Sequence, residues 1–262
     1  MTPPLRPDGR PLEGAPRVDR QSRIHRGRWK GGQVWLFDLD DTLHDASGGA
    51  FQAINRSMTD YIVRELALAE HEADALRRHY WQRYGATLLG LIRHHGVRPE
   101  HFLHHTHLLP ELEQGLRAHP HDVAALRRLP GRKYVLTNAP AAYARRVLDA
   151  LGLLRCFDGV IPIERMRVFG QLRPKPDRRM FRVLLRRLRA PASQCVLVED
   201  TLAHQKAARS LGLRTVWMLR WRPVPSGRMQ GGRPVYVCDR IHGLSQLHRL
   251  RCRPPCPRHP TN

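Results

Sequence analysis

Short apolar runs that stop abruptly at polar residues recur along this chain and constrain its fold more than any other feature. They stand at "QVWLFD" (33–38), "KYVLTN" (133–138), "QCVLVED" (194–200) and "RTVWML" (214–219), with weaker versions at "GVIPI" (159–163) and "VYVCD" (235–239). Each is apolar at successive rather than alternate positions, the pattern of strands covered on both faces. Helical periodicity follows or separates them at 141–150, 177–188, 204–211 and 241–250. Strand alternating with helix implies right-handed βαβ units, and so an α/β fold with a doubly wound parallel sheet.

One interval breaks the alternation. Between residues 46 and 129 no strand pattern occurs, and helices are expected at 51–68, 71–84 and 87–95. An insertion of that size, leaving the sheet just after the first strand, would sit as a cap over the loop that precedes it. The organisation expected is therefore a core of 33–45 and 130–250, a helical cap of 46–129, and two basic, disordered extremities, 1–32 and 251–262.

Charge raises a competing reading. The chain of 262 residues carries a formal +22, and clustered cations gain affinity for nucleic acid by releasing counterions from phosphates. Location weakens that reading. Residues 1–32 hold eight basic against three acidic residues and residues 220–262 nine against one, so the ends supply 13 of the 22 charges. Only four of the 45 basic residues are Lys, a bias that coding alone can produce. Specific nucleic-acid binding is thus not expected. A hydrophobic content of 41% suits a packed core, and no apolar run approaches the ~18 to 20 residues of a membrane span. The first 32 residues lack an apolar segment and include Asp8, Glu13 and Asp19, unlike a presequence, so a cytoplasmic location is expected, with oligomeric state left open.

The chemistry concentrates in "VWLFDLDDTLHD". In a doubly wound sheet ligands bind beyond the carboxyl ends of the strands, where Asp38 and Asp40 fall. Residues i and i+2 of an extended chain point the same way, so both carboxylates reach one site while Leu39 turns into the core. Adjacent carboxylates repel unless a cation holds them or one stays protonated, and Mg²⁺ suits such oxygen donors. Alone, the stretch also reads as a solvated capping turn.

Three later segments strengthen the functional reading. Thr137 and Asn138 of "VLTNA" end the second strand, where a hydroxyl and backbone amides can grip phosphate oxygens, although the same pair could cap the helix that follows. Lys175 stands between two prolines in "RPKPD", a stiffened position for a cation that neutralises carboxylates and phosphate together. Glu199 and Asp200 of "LVEDT" form a second acidic pair at the same sheet edge; alone they too could cap a helix, and with Asp38 they make a metal site.

The ordered set hhhhDxDxT, hhhTN, Pro-flanked Lys and hhhED resembles the four motifs of the haloacid dehalogenase-like hydrolases, from about Val34 to Leu250, with the insertion where that superfamily places a C1-type cap. "FDLDDTLHDAS", "YWQRYGATLLGLIRHHGVRPEHFLHHTH" and "LPGRKYVLTNAP" are similar to segments of the pyrimidine 5′-nucleotidase branch. The resemblance implies that Asp38 is a nucleophile forming an aspartyl-phosphate, that Asp40 is the general acid and base, and that Thr137, Asn138 and Lys175 bind the phosphoryl group. It also implies Mg²⁺ held by Asp38, the Asp40 backbone carbonyl and Asp200, with Glu199 acting through a water. The implied substrate is a pyrimidine nucleoside 5′-monophosphate. A phosphatase or phosphomutase acting on another small ester such as a sugar phosphate is the alternative, and a basic nucleic-acid-binding protein on the same fold a further one. Dehalogenation is disfavoured, because it has no leaving oxygen for Asp40 to protonate.

Two departures stand out. His204 occupies a position where many relatives have Asn; an imidazole that accepts from Lys175 or the metal shell must be neutral, so activity is expected to be acid-sensitive. His44 replaces a common Tyr. Elsewhere blander readings prevail: His101 and His105 as packing or surface histidines, Cys156 and Cys195 as inert core thiols, Cys252-x3-Cys256 with His259 as a tail without a metal. Tyr80, Trp81 and Tyr84 are candidates to stack a nucleobase under the cap, against core packing as the default.

Overall fold

The computed structural model describes residues 32–108, 116, 118–221 and 233–250. The basic segment expected at 1–32 falls outside this range apart from Gly32, and the Cys252, Cys256 and His259 tail falls outside it entirely. Six strands form one parallel sheet: β1 (Val34–Phe37), β2 (Arg132–Leu136), β3 (Gly159–Ile161), β6 (Cys195–Glu199), β7 (Arg214–Met218) and β8 (Asp239–Ile241), in the order β3-β2-β1-β6-β7-β8. A hairpin, β4 (Arg167–Val168) and β5 (Gln171–Leu172), stands apart from it.

The apolar runs are continuous because both faces are covered. Val34 and Leu36 pack with Met180, Phe181, Leu184 and Leu188 of α7 (Arg178–Leu188) and with Ala207 and Ala208 of α8 (Leu202–Arg209). Trp35 and Phe37, pointing the other way, pack with Tyr143, Ala144, Val147 and Leu148 of α6 (Ala141–Ala150). Helix α7 carries its own start signal: the Asp177 side chain accepts hydrogen bonds from the amides of Arg179 (2.6 Å) and Met180 (3.3 Å). Sequence order runs outward in both directions from β1 and β6, so the crevice for a ligand opens where those two neighbours end.

The insertion is helical as expected: α1 (Ala50–Leu66), α2 (Glu70–Tyr84), α3 (Thr87–His95) and α4 (Pro99–His107). Their apolar faces enclose a separate cluster of Tyr61, Ile62, Ala73, Tyr80, Leu88, Leu91, Phe102 and Leu103, which also takes in Ile163 from the core. Arg77 joins three of these helices. Its guanidinium donates to Asn55 (2.9 Å) and Thr59 (3.2 Å) of α1 and to Asp74 (2.6 Å), while its carbonyl accepts from Thr87 of α3 (3.0 Å). Gly85, at φ 79°, ends α2 in a left-handed conformation that glycine adopts without strain.

Three expectations change. The stretch 120–129, counted with the cap, forms α5 (Pro120–Arg128) and packs on the sheet, with Ala125 and Leu126 buried alongside Trp35 and Phe37. The run at 235–239 is not itself a strand: its backbone turns, and pairing with β7 begins only at Asp239. The helix over 241–250 shrinks to α9 (Leu247–Leu250), because Ile241 lies in β8 and residues 244–246 make a 3-10 turn. Ile241, Leu244, Leu247 and Leu250 are all buried on the core side, so spacing by threes mimicked a single helix.

Candidate active site

The carboxyl ends of β1 and β6 bring the acidic pairs together. The Asp38 amide donates to Val198 O across the two strands (3.0 Å), which fixes the register of the loop. Leu39 is fully buried in the core, as the i, i+2 argument requires. One carboxylate oxygen from each of Asp38, Glu199 and Asp200 falls within 4.8 Å of the others, and no other such group of metal-ligating side chains occurs among the described residues.

Lys175 penetrates this cluster from the loop before α7. Its side chain is 1% exposed, and Nζ donates to Asp38 Oδ1 at 2.7 Å and to Glu199 Oε2 at 2.8 Å. The loop is held by Asn138, whose side-chain amide donates to Lys175 O and accepts from Lys175 N, both at 3.0 Å. Asn138 thus spends its side-chain amide on the lysine backbone. Thr137 is 1% exposed; its Oγ1 accepts from the Ala139 amide (3.0 Å), leaving its hydroxyl proton to donate. The capping role open to this pair goes instead to Glu164, whose carboxylate accepts from the first amide of α6, that of Ala141, at 2.9 Å.

Electrostatics show a site short of positive charge. Burial first, then the Glu199 charge, pushes the Asp38 carboxyl well above its usual range, against the opposing pull of Lys175. The same two causes push Asp200 up to about 8. Glu199 moves the other way: Lys175 and His204 outweigh burial and hold it well below the usual range. The Lys175 ammonium is raised by its two carboxylates despite a burial penalty. One ammonium facing three carboxylates leaves a set of oxygen donors that could hold a hard cation.

Glu199 is fully enclosed. Besides Lys175, it accepts from the Thr201 amide at Oε1 (3.1 Å), and His204 Nδ1 lies 3.0 Å from Oε2. The neighbour of His204 is therefore a carboxylate, which only accepts.

Asp40 occupies separate surroundings. Its Oδ1 accepts from the Tyr143 hydroxyl (2.8 Å) and contacts His44 Nε2 (3.0 Å), while its side chain remains 16% exposed. Asp41, at φ 54°, turns away and accepts from the amides of Ala46 (2.9 Å) and Ser47 (2.8 Å) ahead of α1. The sequence offered no signal for Tyr143, 103 positions from Asp40, nor for Gln205, a buried side chain that ties α8 to Glu199 O at 2.8 Å. His107, at the end of α4, packs its ring edge-on to Tyr143 at 5.8 Å, and burial lowers its pKa to about 4.

The aromatic candidates of the cap divide. Tyr80 is 6% exposed, stacks on His94 at 5.5 Å and donates or accepts at His95 Nε2 (2.8 Å). A Cβ on Gly90 would lie 2.1 Å from the Tyr80 ring, so this ring packs flat on the α3 backbone and is closed to a substrate. Tyr84 is half-buried and pairs with His94 at 2.6 Å; Trp81 is 60% exposed. His101 is likewise a packing residue, bonded to the Tyr61 hydroxyl at 2.8 Å. Cys156 and Cys195 are buried, and burial pushes the Cys195 thiol up to about 12. A cavity of about 400 Å³ beside β8, lined by Arg233, Arg240, His242 and Arg249, shares no residue with the carboxylate cluster.

Comparison with known proteins agrees with this geometry. The chain is 24% identical over 198 residues to Phosphate metabolism protein 8 of Saccharomyces cerevisiae, an alignment covering 69% of this chain and 60% of the yeast protein. It is 27% identical over 199 residues to phosphoglycolate phosphatase of Rhodospirillum rubrum, covering 70% and 78%. Its fold matches the crystal structure of a HAD phosphatase from Thermococcus onnurineus with a TM-score of 0.55 at 20% identity, over 87% of this chain and all of the other. No helix among the described residues is long and apolar enough to cross a membrane. The family model for haloacid dehalogenase-like hydrolases matches residues 33–212, and the chain belongs to that family of enzymes.

Proposed function

We propose that this hydrolase cleaves phosphomonoesters through a phosphorylated Asp38. The observation that carries the reading is the separation of two carboxylates two residues apart: Asp38 shares Lys175 with Glu199, whereas Asp40 is held by Tyr143 and His44. An Asp38 oxygen attacks phosphorus and the bond from phosphorus to the ester oxygen breaks. Asp40 gives its proton to the departing oxygen, producing the alcohol. Asp40, now a carboxylate, takes a proton from water as that water attacks phosphorus, the bond to Asp38 breaks, and inorganic phosphate leaves. Lys175 and the Thr137 hydroxyl balance phosphoryl charge, while Asn138 holds the lysine loop in place.

The oxygen donors and their raised carboxyl pKa values fit Mg²⁺, which Asp38, Asp200 and the Asp40 backbone carbonyl would hold. When bound it supplies charge neutralisation for the phosphoryl oxygens. Glu199, enclosed by Lys175, His204 and Thr201, orients the lysine.

Helices α1–α4 are the cap in this reading, and a pyrimidine nucleoside 5′-monophosphate is the proposed substrate. The similarity of "YWQRYGATLLGLIRHHGVRPEHFLHHTH" to the pyrimidine 5′-nucleotidase branch supports it, and exposed Trp81 is the aromatic left to meet a base. The Rhodospirillum relative favours a second reading, a small phosphorylated acid. Phosphate release measured with Mg²⁺ on UMP, CMP, dTMP, purine monophosphates, sugar phosphates and phosphoglycolate, beside Asp38→Asn, decides between them. Highest kcat/KM on pyrimidine monophosphates, abolished in Asp38→Asn, is the expected result. Isomerisation without phosphate release, or activity surviving in Asp38→Asn, would overturn it.

A further inference from the structure

We infer that His44 and Tyr143 are positioning residues that lock the rotamer of Asp40 and leave Oδ2 as the oxygen that meets the leaving group. This rests on the reading of Asp40 as the general acid.

Both contacts converge on one oxygen. The Tyr143 hydroxyl donates to Oδ1 at 2.8 Å, and His44 Nε2 lies 3.0 Å from the same atom. Tyr143 is 0% and His44 1% exposed, so neither contact is shared with bulk water. The two approach from different elements. His44 comes from the loop of Asp40 itself, which Leu39 and Leu43 anchor in the core through a 2.8 Å backbone bond. Tyr143 comes from the first turn of α6.

The tautomer of His44 follows from its other nitrogen. Nδ1 is buried and has no hydrogen-bond partner. A buried N–H without an acceptor is costlier than an unpartnered lone pair, so the proton belongs on Nε2, which then donates to Asp40. Oδ2 accepts no hydrogen bond among the described residues, so it is the oxygen open to a leaving group. A carboxyl with one oxygen held twice by the fold and the other left open is arranged to meet a leaving group without first rotating. His44, the departure from a common Tyr, thus replaces one donor with another.

The test measures kcat/KM, which covers the steps up to departure of the leaving group, for an alkyl phosphate and for p-nitrophenyl phosphate, whose leaving group needs no proton. The full chain with Mg²⁺ is compared with Tyr143→Phe, His44→Phe, His44→Gln and Asp40→Asn. Tyr143→Phe and His44→Phe are each expected to lower the alkyl value about tenfold and the nitrophenyl value by less than about twofold, as partial loss of general-acid catalysis requires. His44→Gln, which can place an amide N–H where Nε2–H lies, is expected to recover most of the loss. Equal losses on both esters, no loss on either, or a His44→Gln no better than His44→Phe would overturn the inference. Asp40→Asn separates the two levels: if it too lacks leaving-group bias, the general-acid reading itself fails; if it alone shows bias, only the positioning role fails. Tyr143→Phe keeps the ring and its packing, so it carries the test should His44→Phe not fold, which a thermal melt reports.

Discussion

The carboxylate cluster and helices α1–α4 both carry polar groups packed close together, yet they differ in kind. In the cluster, Asp38, Lys175 and Glu199 are ionisable, almost wholly buried and mutually dependent, so each is costly without the others. In α1–α4 the hydroxyl–imidazole pairs, Tyr61 with His101, Tyr80 with His95 and Tyr84 with His94, join rings of the apolar cluster beside the Arg77–Asp74 pair, and each bond is individually modest. A region made of coupled charges loses everything when one member goes. A region of separate, individually modest bonds tolerates the loss of any one of them.

Lys175→Met breaks the comparison hardest. It leaves two buried carboxylates facing each other, so the expected cost is ~3–5 kcal/mol of stability together with about 10²–10³ in kcat. Chemical denaturation and phosphate-release kinetics measure the two; a stable variant with near-normal kcat would place Lys175 outside the coupled charges.

Metal and pH probe the same coupling next. The Asp200 carboxyl, raised from 3.8 to about 8 chiefly by burial, binds its proton more tightly folded than unfolded. Stability of the metal-free protein from this group is therefore complete below the unfolded pKa and lost as pH rises from near 4 to near 8. Mg²⁺ must displace that proton, so the rise in Tm on adding it is expected to be larger at pH 8 than at pH 6. Asp200→Asn should flatten both trends, and a Mg²⁺ effect independent of pH and of Asp200 would contradict the assignment.

The smallest effects are expected in the cap. Tyr80→Phe removes one neutral hydrogen bond and should cost about 1 kcal/mol with kcat and KM unchanged. Trp81→Ala should leave stability alone but raise KM for a nucleotide by ~1–3 kcal/mol of lost stacking, without a matching rise for p-nitrophenyl phosphate. Equal changes for both substrates would remove Trp81 from base recognition.

Legibility followed the range of the interactions. β1, β2, β6 and β7 were readable because a strand covered on both faces leaves a continuous apolar trace, and Asp38, Thr137 and Asp200 because each sits at or beside the end of such a trace, with Lys175 marked instead by its flanking prolines. The end of the chain misled: β8 opens with Asp239, a charge made tolerable in a strand by the Arg214 guanidinium 2.8 Å away, and the apolar run before it went into a turn. Tyr80 follows the core-packing default, although nothing local says that its ring lies on the backbone of Gly90.

By itself the sequence determined the class of fold and the acidic loop at its centre, because strand burial and the local order of Asp38, Leu39 and Asp40 depend on neighbours only a few residues apart. Only the tertiary structure decided which oxygen of Asp40 is bonded, that Glu199 faces Lys175 and His204, and that Asn138 grips the lysine loop. Those contacts join residues as far as 103 positions apart, and a hydrogen bond is settled by fractions of an ångström that only the packed sheet and helices can set.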